Sequence, residues 1–359
     1  MKTPKLPLPT PLRGIDTAYT KLSITDRLTE IIERILIENE LPATTVSQII
    51  TLRNSIPTGQ ISYLPEHLAP DLDLWQADIQ PFVGQNWLEL PWFFVETYAY
   101  RRIIAAVDYF RSGIDPFSYQ KRQSLLVSTP QTQALLGQAA QLISQGWQAE
   151  GLQQLLLAAL WGNQADMSMW SADDGSMPNH AEADDQTAHL LVDDRTVVTQ
   201  LLQNPVRRVD FIIDNAGFEL IGDLCLTDYL LATDQVSTIF YHLKLFPTFV
   251  SDATPFDVES TVAYLKYHEE PVLQATGERL INYLVNGRLQ LATDPFWTSP
   301  HPLWQLPSHL HKQFATANLI ISKGDANYRR SLGDAPWPHT TSFTEIVSYL
   351  PTPALFLRT

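Results

Sequence analysis

Beyond Arg195 the chain alternates between short runs rich in β-branched and aromatic residues and longer helical patterns, and this alternation narrows the possible folds more than any other feature. The candidate strands are 209–213, 237–243, 317–322 and 354–357. Between them lie helical patterns at 219–232, 256–267 and 271–286, with a short helix beginning at 328 and running to 332. Parallel neighbours need a crossover connection, so strands separated by helices assemble into a parallel sheet covered on both faces. The expected class is therefore α/β. In such sheets ligands collect beyond the carboxyl ends of the strands, which directs attention to the residues just past each strand.

The first half reads as mostly helical. Pro4, Pro7, Pro9 and Pro11 deny residues 1–20 a regular hydrogen-bond ladder, so they are expected to form an extended arm. From 23 to 41, Leu28, Ile31, Ile32, Ile35 and Leu36 recur at the spacing of a buried helical stripe, with Ser23 or Thr25 as N-cap. Further helices are expected at 45–52, 92–110, 132–145 and 149–161, and an irregular stretch at 64–91. The organisation is then a helical part over 1–170, an acidic connection over 171–194 and an α/β part over 195–359. The connection holds Asp173, Asp174, Glu182, Asp184, Asp185, Asp193 and Asp194 with no Lys or Arg, and reads as a solvated loop. His180 and His189 lie beside these acids, but nothing fixes them in register as metal ligands.

A chain of 359 residues can bury a sizeable core without staples, and Cys225 as the single cysteine excludes an intramolecular disulfide and thiolate metal sites. The net charge of −15 disfavours nucleic acid and anionic membranes as partners. Residues 1–11 lack the apolar core of a signal peptide, and no apolar run approaches the roughly 18 residues that span a bilayer. The expectation is a soluble, cytoplasmic protein with a small-molecule substrate; the sequence leaves its oligomeric state open.

Three segments carry the chemistry. Asp214-Asn215-Ala216-Gly217-Phe218-Glu219 ends the first strand candidate and sets a carboxylate beside a side-chain amide. Asp252 follows another extended run, Phe249-Val250-Ser251. Two carboxylates and an amide oxygen at neighbouring strand ends suit a hard divalent cation, and without one the acids would repel. Turn chemistry at Asp214-Asn215 and capping by Asp252 or Thr254 are the plain alternatives. Glu219 and Asp223 are expected at a helix start, where the dipole favours them. In the third segment, Lys323-Gly324-Asp325-Ala326-Asn327-Tyr328-Arg329-Arg330, Gly324 permits a close backbone approach, and lysine, asparagine and arginine suit a phosphate and sugar hydroxyls. Asn163 and Asp166, past the helix end at Gly162, are further candidates to approach the crevice. No Gly-x-Gly-x-x-Gly fingerprint, Walker loop or Gly-x-Ser-x-Gly elbow occurs.

Together these segments resemble the metal-dependent damage-control phosphatases, in the sugar-phosphate branch also described as protein-glutamate O-methyltransferase-like. The resemblance runs through 91–102, 160–166, 214–220, 244–252 and 323–329 in the family's order. It implies a helical N-terminal part on a three-layer α/β/α, Rossmann-like domain. It further implies hydrolysis of small sugar phosphates such as fructose 1-phosphate, with Mn2+, Mg2+, Co2+ or Ni2+ held by Asp214, Asn215 and Asp252. On the resemblance, Asp214 and Asp252 are expected to carry catalysis, either through an activated water or through attack by Asp214 itself. By the same resemblance Asp214, Asn215, Lys323, Asp325, Asn327, Tyr328 and Arg329, with Lys244, are expected to line the substrate pocket. The branch carries Arg-Thr-x-Lys near its C-terminus and this sequence stops at Arg358-Thr359, so the expectation is that Lys323 and Lys244 stand in for that lysine or that turnover and substrate choice differ from the family's; at a net charge of −15 the local positive field is expected from the cation with Lys323, Arg329 and Lys244. Methyl transfer from S-adenosylmethionine to protein glutamate, and sugar-phosphate binding without catalysis, are the alternative functions.

Overall fold

Five short strands, all paired in parallel, form the sheet on which the molecule is built. They are β1 (Val206–Ile212), β2 (Val236–Leu243), β3 (Leu289–Thr293), β4 (Leu319–Lys323) and β5 (Ala354–Leu357), in the order β3-β2-β1-β4-β5. The computed structural model describes residues 3–65, 69–162 and 189–359. Asn163, Asp166, His180 and most of the acidic connection lie outside the described residues. Among the described residues, no helix is long and apolar enough to cross a membrane.

Strand alternation sorts the core. Val209, Phe211 and Leu319 face one layer, where they meet helices α4 (Ser118–Val127), α5 (Thr129–Gln145), α6 (Ala149–Trp161), α7 (Phe218–Ala232), α8 (Pro255–Lys266) and α9 (Pro271–Val285). Ile212 and Ile320 face the other layer, built from short helical segments around Phe296, Trp297, Leu310 and Phe314. On that second face Asp210 is fully buried, and its charge is met by a two-pronged bond from Arg208 (2.6 and 2.7 Å) and by His242 Nε2 at 2.9 Å. A polar group buried without such partners would cost free energy.

The chain moves outward from β1 through β2 to β3, then returns to the other side of β1 for β4 and β5. The sheet therefore has its topological switch between β1 and β4, the place where parallel sheets bind ligands at the carboxyl ends of their strands. β3 is an edge strand that the sequence pattern did not reveal. Its Leu-Gln-Leu-Ala-Thr run buries only Leu289, so it carries no long apolar signal.

The N-terminal helices form a second core that closes this end of the sheet. Here α1 (Leu28–Glu38), α2 (Ala43–Ser55) and α3 (Trp92–Ala106) pack around Trp75, Trp87 and Tyr98, and Val250 from the loop after β2 joins the same cluster. Helical structure starts earlier than the stripe suggested, because Thr17 and Thr20 form a capping box ahead of Ala18–Leu22. The segment 64–91, expected to be irregular, contains a helix at Leu72–Ile79 that buries Trp75 and Ile79. Likewise α3 stops at Ala106, where Asp108 turns left-handed at φ 51°.

Candidate active site

Two loops meet at the switch point. The one after β1 carries Asp214 and Asn215, and the one after β2 carries Asp252. Backbone bonds of 2.7 Å from Ala216 N to Ser251 O and from Ala253 N to Asp214 O tie them together, with an antiparallel bridge between Asn215 and Asp252. Asp214, Asn215 and Asp252 are thereby gathered at one point, 4%, 5% and 1% exposed.

The approach to Asp252 is strained. Phe249 and Val250 both have positive φ, 48° and 71°, a rare conformation for an aromatic or β-branched residue. The helical part holds it there: Phe249 packs on Tyr100 (centroids 5.0 Å) and on Phe93 (6.0 Å), and Val250 is buried among the N-terminal helices. Packing from α3 thus fixes the loop that presents Asp252.

Hydrogen bonding fixes the orientation of Asn215. Its Nδ2 donates to Asp214 Oδ2 (3.1 Å) and Glu219 Oε2 (2.8 Å), so the amide oxygen turns toward the Asp252 loop, where Ser251 Oγ donates to it at 2.7 Å. Lys244 Nζ sits 3.1 Å from Asp252 Oδ2 and donates to Asn327 Oδ1 and the Ile213 carbonyl, both at 3.3 Å. Among the described residues no three His, Cys, Asp or Glu side chains are grouped to hold a metal. The donor set here is instead two carboxylates and one amide oxygen. It fits a hard cation that keeps several waters.

The third segment enters from β4. Helix α10 (Gly324–Leu332) begins directly after Lys323, four residues earlier than the sequence pattern indicated. Gly324, at φ 74°, lies so close to Asp214 that a Cβ there would overlap the carboxylate. The close backbone approach foreseen for a ligand is therefore an approach to Asp214. Asn327, one turn on, donates to the Ile213 and Lys323 carbonyls at 3.2 and 2.9 Å.

Lys323 and Arg329 do not supply the free positive field expected of them. Lys323 Nζ is fully buried, 2.8 Å from Asp223 and 3.1 Å from Glu219, and donates to the Ala159 carbonyl at 2.6 Å. Burial pushes Asp223 up to about 7, with Lys323 opposing the rise and Glu219 adding to it. Arg329 spans Glu96 (2.8 Å) and Asp334 (2.7 Å) and lies 3.8 Å over the Trp92 ring. Asp325 and Tyr328 face the last strand: Asp325 is exposed and bonded to Arg358 at 2.8 Å, and Tyr328 stacks on Phe343. Glu219 and Asp223 are no mere helix-start acids. Their i, i+4 spacing on a largely apolar helix was the signal that they share a buried partner.

Comparisons with known proteins agree along the chain. A family profile described as the damage-control phosphatase ARMT1-like domain matches residues 16–359. Damage-control phosphatase ARMT1 of Danio rerio is 32% identical over 346 residues, covering 88% of this chain and 77% of the relative. The Mus musculus protein of the same name is 33% identical over 294 residues, covering 76% and 67%. Among solved structures, a DUF89 family protein of Pyrococcus horikoshii aligns with a TM-score of 0.47 at 15% identity, over 88% of this chain and 86% of that one.

Proposed function

The chain belongs to the family of damage-control phosphatases that share the ARMT1-like domain, and on that premise we propose that it hydrolyses small sugar phosphates of the fructose 1-phosphate kind. The reaction uses a divalent cation, Mn2+, Mg2+, Co2+ or Ni2+, held by Asp214, Asn215 and Asp252. One observation carries this reading: the loops after β1 and β2 are bonded together so that two carboxylates and an oriented amide meet at the switch point beside β4.

Charge supports it. Four carboxylates, Asp214, Glu219, Asp223 and Asp252, face two ammonium groups, Lys244 and Lys323, so acidic groups outnumber basic ones in a buried site. A divalent cation offsets that excess. When bound, the ion neutralises phosphate charge and acidifies a coordinated water. The protein's own part is positioning. Asn215 and Gly324 hold the Asp214 carboxylate from two sides, while Lys244 steadies Asp252 and links it to Asn327 on α10. Lys323 keeps Glu219 in place, and Glu219 in turn orients the Asn215 amide.

A panel of sugar phosphates assayed for phosphate release, after chelation and re-addition of each cation, tests the proposal. Metal-restored release from hexose or pentose monophosphates is expected. A protein that releases no phosphate from any of them with any of the four metals contradicts it.

A further inference from the structure

Buried cations in this protein come with carboxylates. Arg101 pairs with Asp71, Lys121 with Asp115 and Asp257, Lys244 with Asp252, and Lys323 with Glu219 and Asp223. Arg330 departs from this rule. It is 2% exposed, and no carboxylate of the described residues lies within 4.0 Å of it. Its Nη1 and Nη2 donate to the carbonyls of His301 (2.7 Å) and Trp297 (3.2 Å), and its Nε has no acceptor. Phe93 and Phe296 hold the guanidinium, with centroids at 5.1 and 5.4 Å. Burial pulls it down to about 9, and Asp252 is the one carboxylate that acts against this. A buried charge left without a counter-ion costs several kcal/mol.

Position on the helix relates this charge to the site. Gly324, Asn327 and Arg330 are spaced three apart on α10, so each is a neighbour of the next along a row that winds around the helix. Gly324 abuts Asp214, and Asn327 contacts Lys244. Phe93, against which Arg330 lies, also packs on Phe249 in the strained loop that presents Asp252. Once a divalent cation offsets the excess of acids, Arg330 is the uncompensated positive charge at this end of the sheet. Its Nε–H, unspent among the described residues, is a donor of the kind with which arginine takes phosphate oxygens.

We propose that Arg330 is a specificity-determining residue that receives a phosphoryl oxygen of the substrate. The inference rests on the phosphatase reading for the identity of the anion, and its test is therefore binding of inorganic phosphate, measured apart from turnover. Wild type, R330Q and R330K are titrated with phosphate by calorimetry in the presence of Mn2+, with melting curves and Mn2+ affinity recorded alongside. Loss of a charge-assisted bond predicts phosphate binding about 10- to 100-fold weaker in R330Q, a smaller loss in R330K, and unchanged Mn2+ affinity in both. In wild type labelled at arginine 15Nε, the Nε–H resonance that R330K lacks shifts on adding phosphate, a readout that needs no stable R330Q. Phosphate affinity equal to wild type in variants that melt cooperatively, or an unmoved Nε–H resonance at saturating phosphate, overturns the assignment. Absence of sugar-phosphate hydrolysis in wild type, with phosphate binding still dependent on Arg330, overturns the phosphatase reading alone.

Discussion

Replacing Gly324 with alanine inserts one methyl group where the backbone of α10 meets the Asp214 carboxylate. Two penalties follow. At φ 74° an L-residue costs about 1–2 kcal/mol, and a methyl forced into a filled site adds about 1–3 kcal/mol. The nearest atoms in the way are the Oδ2, Cγ and Cβ of Asp214, so the carboxylate or the start of α10 must move. Asp214 Oδ2 is also the acceptor of the Asn215 amide, which disturbs the whole donor set. A displacement on the order of 1 Å at a reacting group lowers turnover about 100-fold. Gly113→Ala is the control. That glycine has φ 68° with nothing within 4 Å of the added Cβ, so it reports backbone strain alone. In denaturant titrations both variants lose stability, Gly324→Ala by about 2–5 kcal/mol and Gly113→Ala by about 1–2 kcal/mol. Metal-dependent phosphate release should fall only in Gly324→Ala. Activity in Gly324→Ala equal to that in Gly113→Ala would refute the claim that this contact positions Asp214.

Lys323→Met should act mainly on stability. Removing one partner of a buried ion cluster leaves Glu219 and Asp223 uncompensated and costs about 3–5 kcal/mol, read by urea unfolding; a loss below about 1 kcal/mol contradicts the pairing described here. The His301–Asp78 contact, 3.0 Å across the junction with the N-terminal helices, predicts a pH effect. The hydrogen bond to Asp78 raises His301 above its ordinary 6.5, so the pair stabilises fully below that value and loses its contribution as pH rises through the folded-state value. His301→Asn should therefore lower the melting temperature in mildly acidic buffer more than in alkaline buffer. An equal drop at both removes the ion pair as the cause.

Much of the sheet was legible because β1, β2, β4 and β5 each carry a compact hydrophobic run between turn signals, whereas β3, with a single buried residue, does not. The position of Asp214 and Asn215 just past β1 was readable too, since the rule for parallel sheets acts on local sequence; the run Phe249-Val250-Ser251, expected to be extended ahead of Asp252, instead turns left-handed at Phe249 and Val250 in the loop after β2. What stayed hidden is which cation each acid meets. Lys323 reaches back to α7 and to Ala159 of α6, and such long-range pairing leaves only the i, i+4 spacing of Glu219 and Asp223 as a local trace. The different surroundings of Arg329 and Arg330 turn on helix phase. With α10 starting at Gly324 rather than near Tyr328, Asn327 and Arg330 are neighbours three apart, and Arg329 turns toward Glu96 and Trp92.

The central claim is that Asp214, Asn215 and Asp252 form one cation site on which phosphate release depends. The most direct measurement takes chelated protein, titrates Mn2+ into wild type and Asp252→Asn by calorimetry, and assays phosphate release from a sugar phosphate in the same samples. Asp252→Asn keeps the shape of the side chain and removes its charge. The account predicts one ion per wild-type chain with activity rising as the ion binds, and loss of both binding and activity in Asp252→Asn while the melting curve remains cooperative. Full activity in Asp252→Asn, or wild-type activity that persists after chelation, would contradict it.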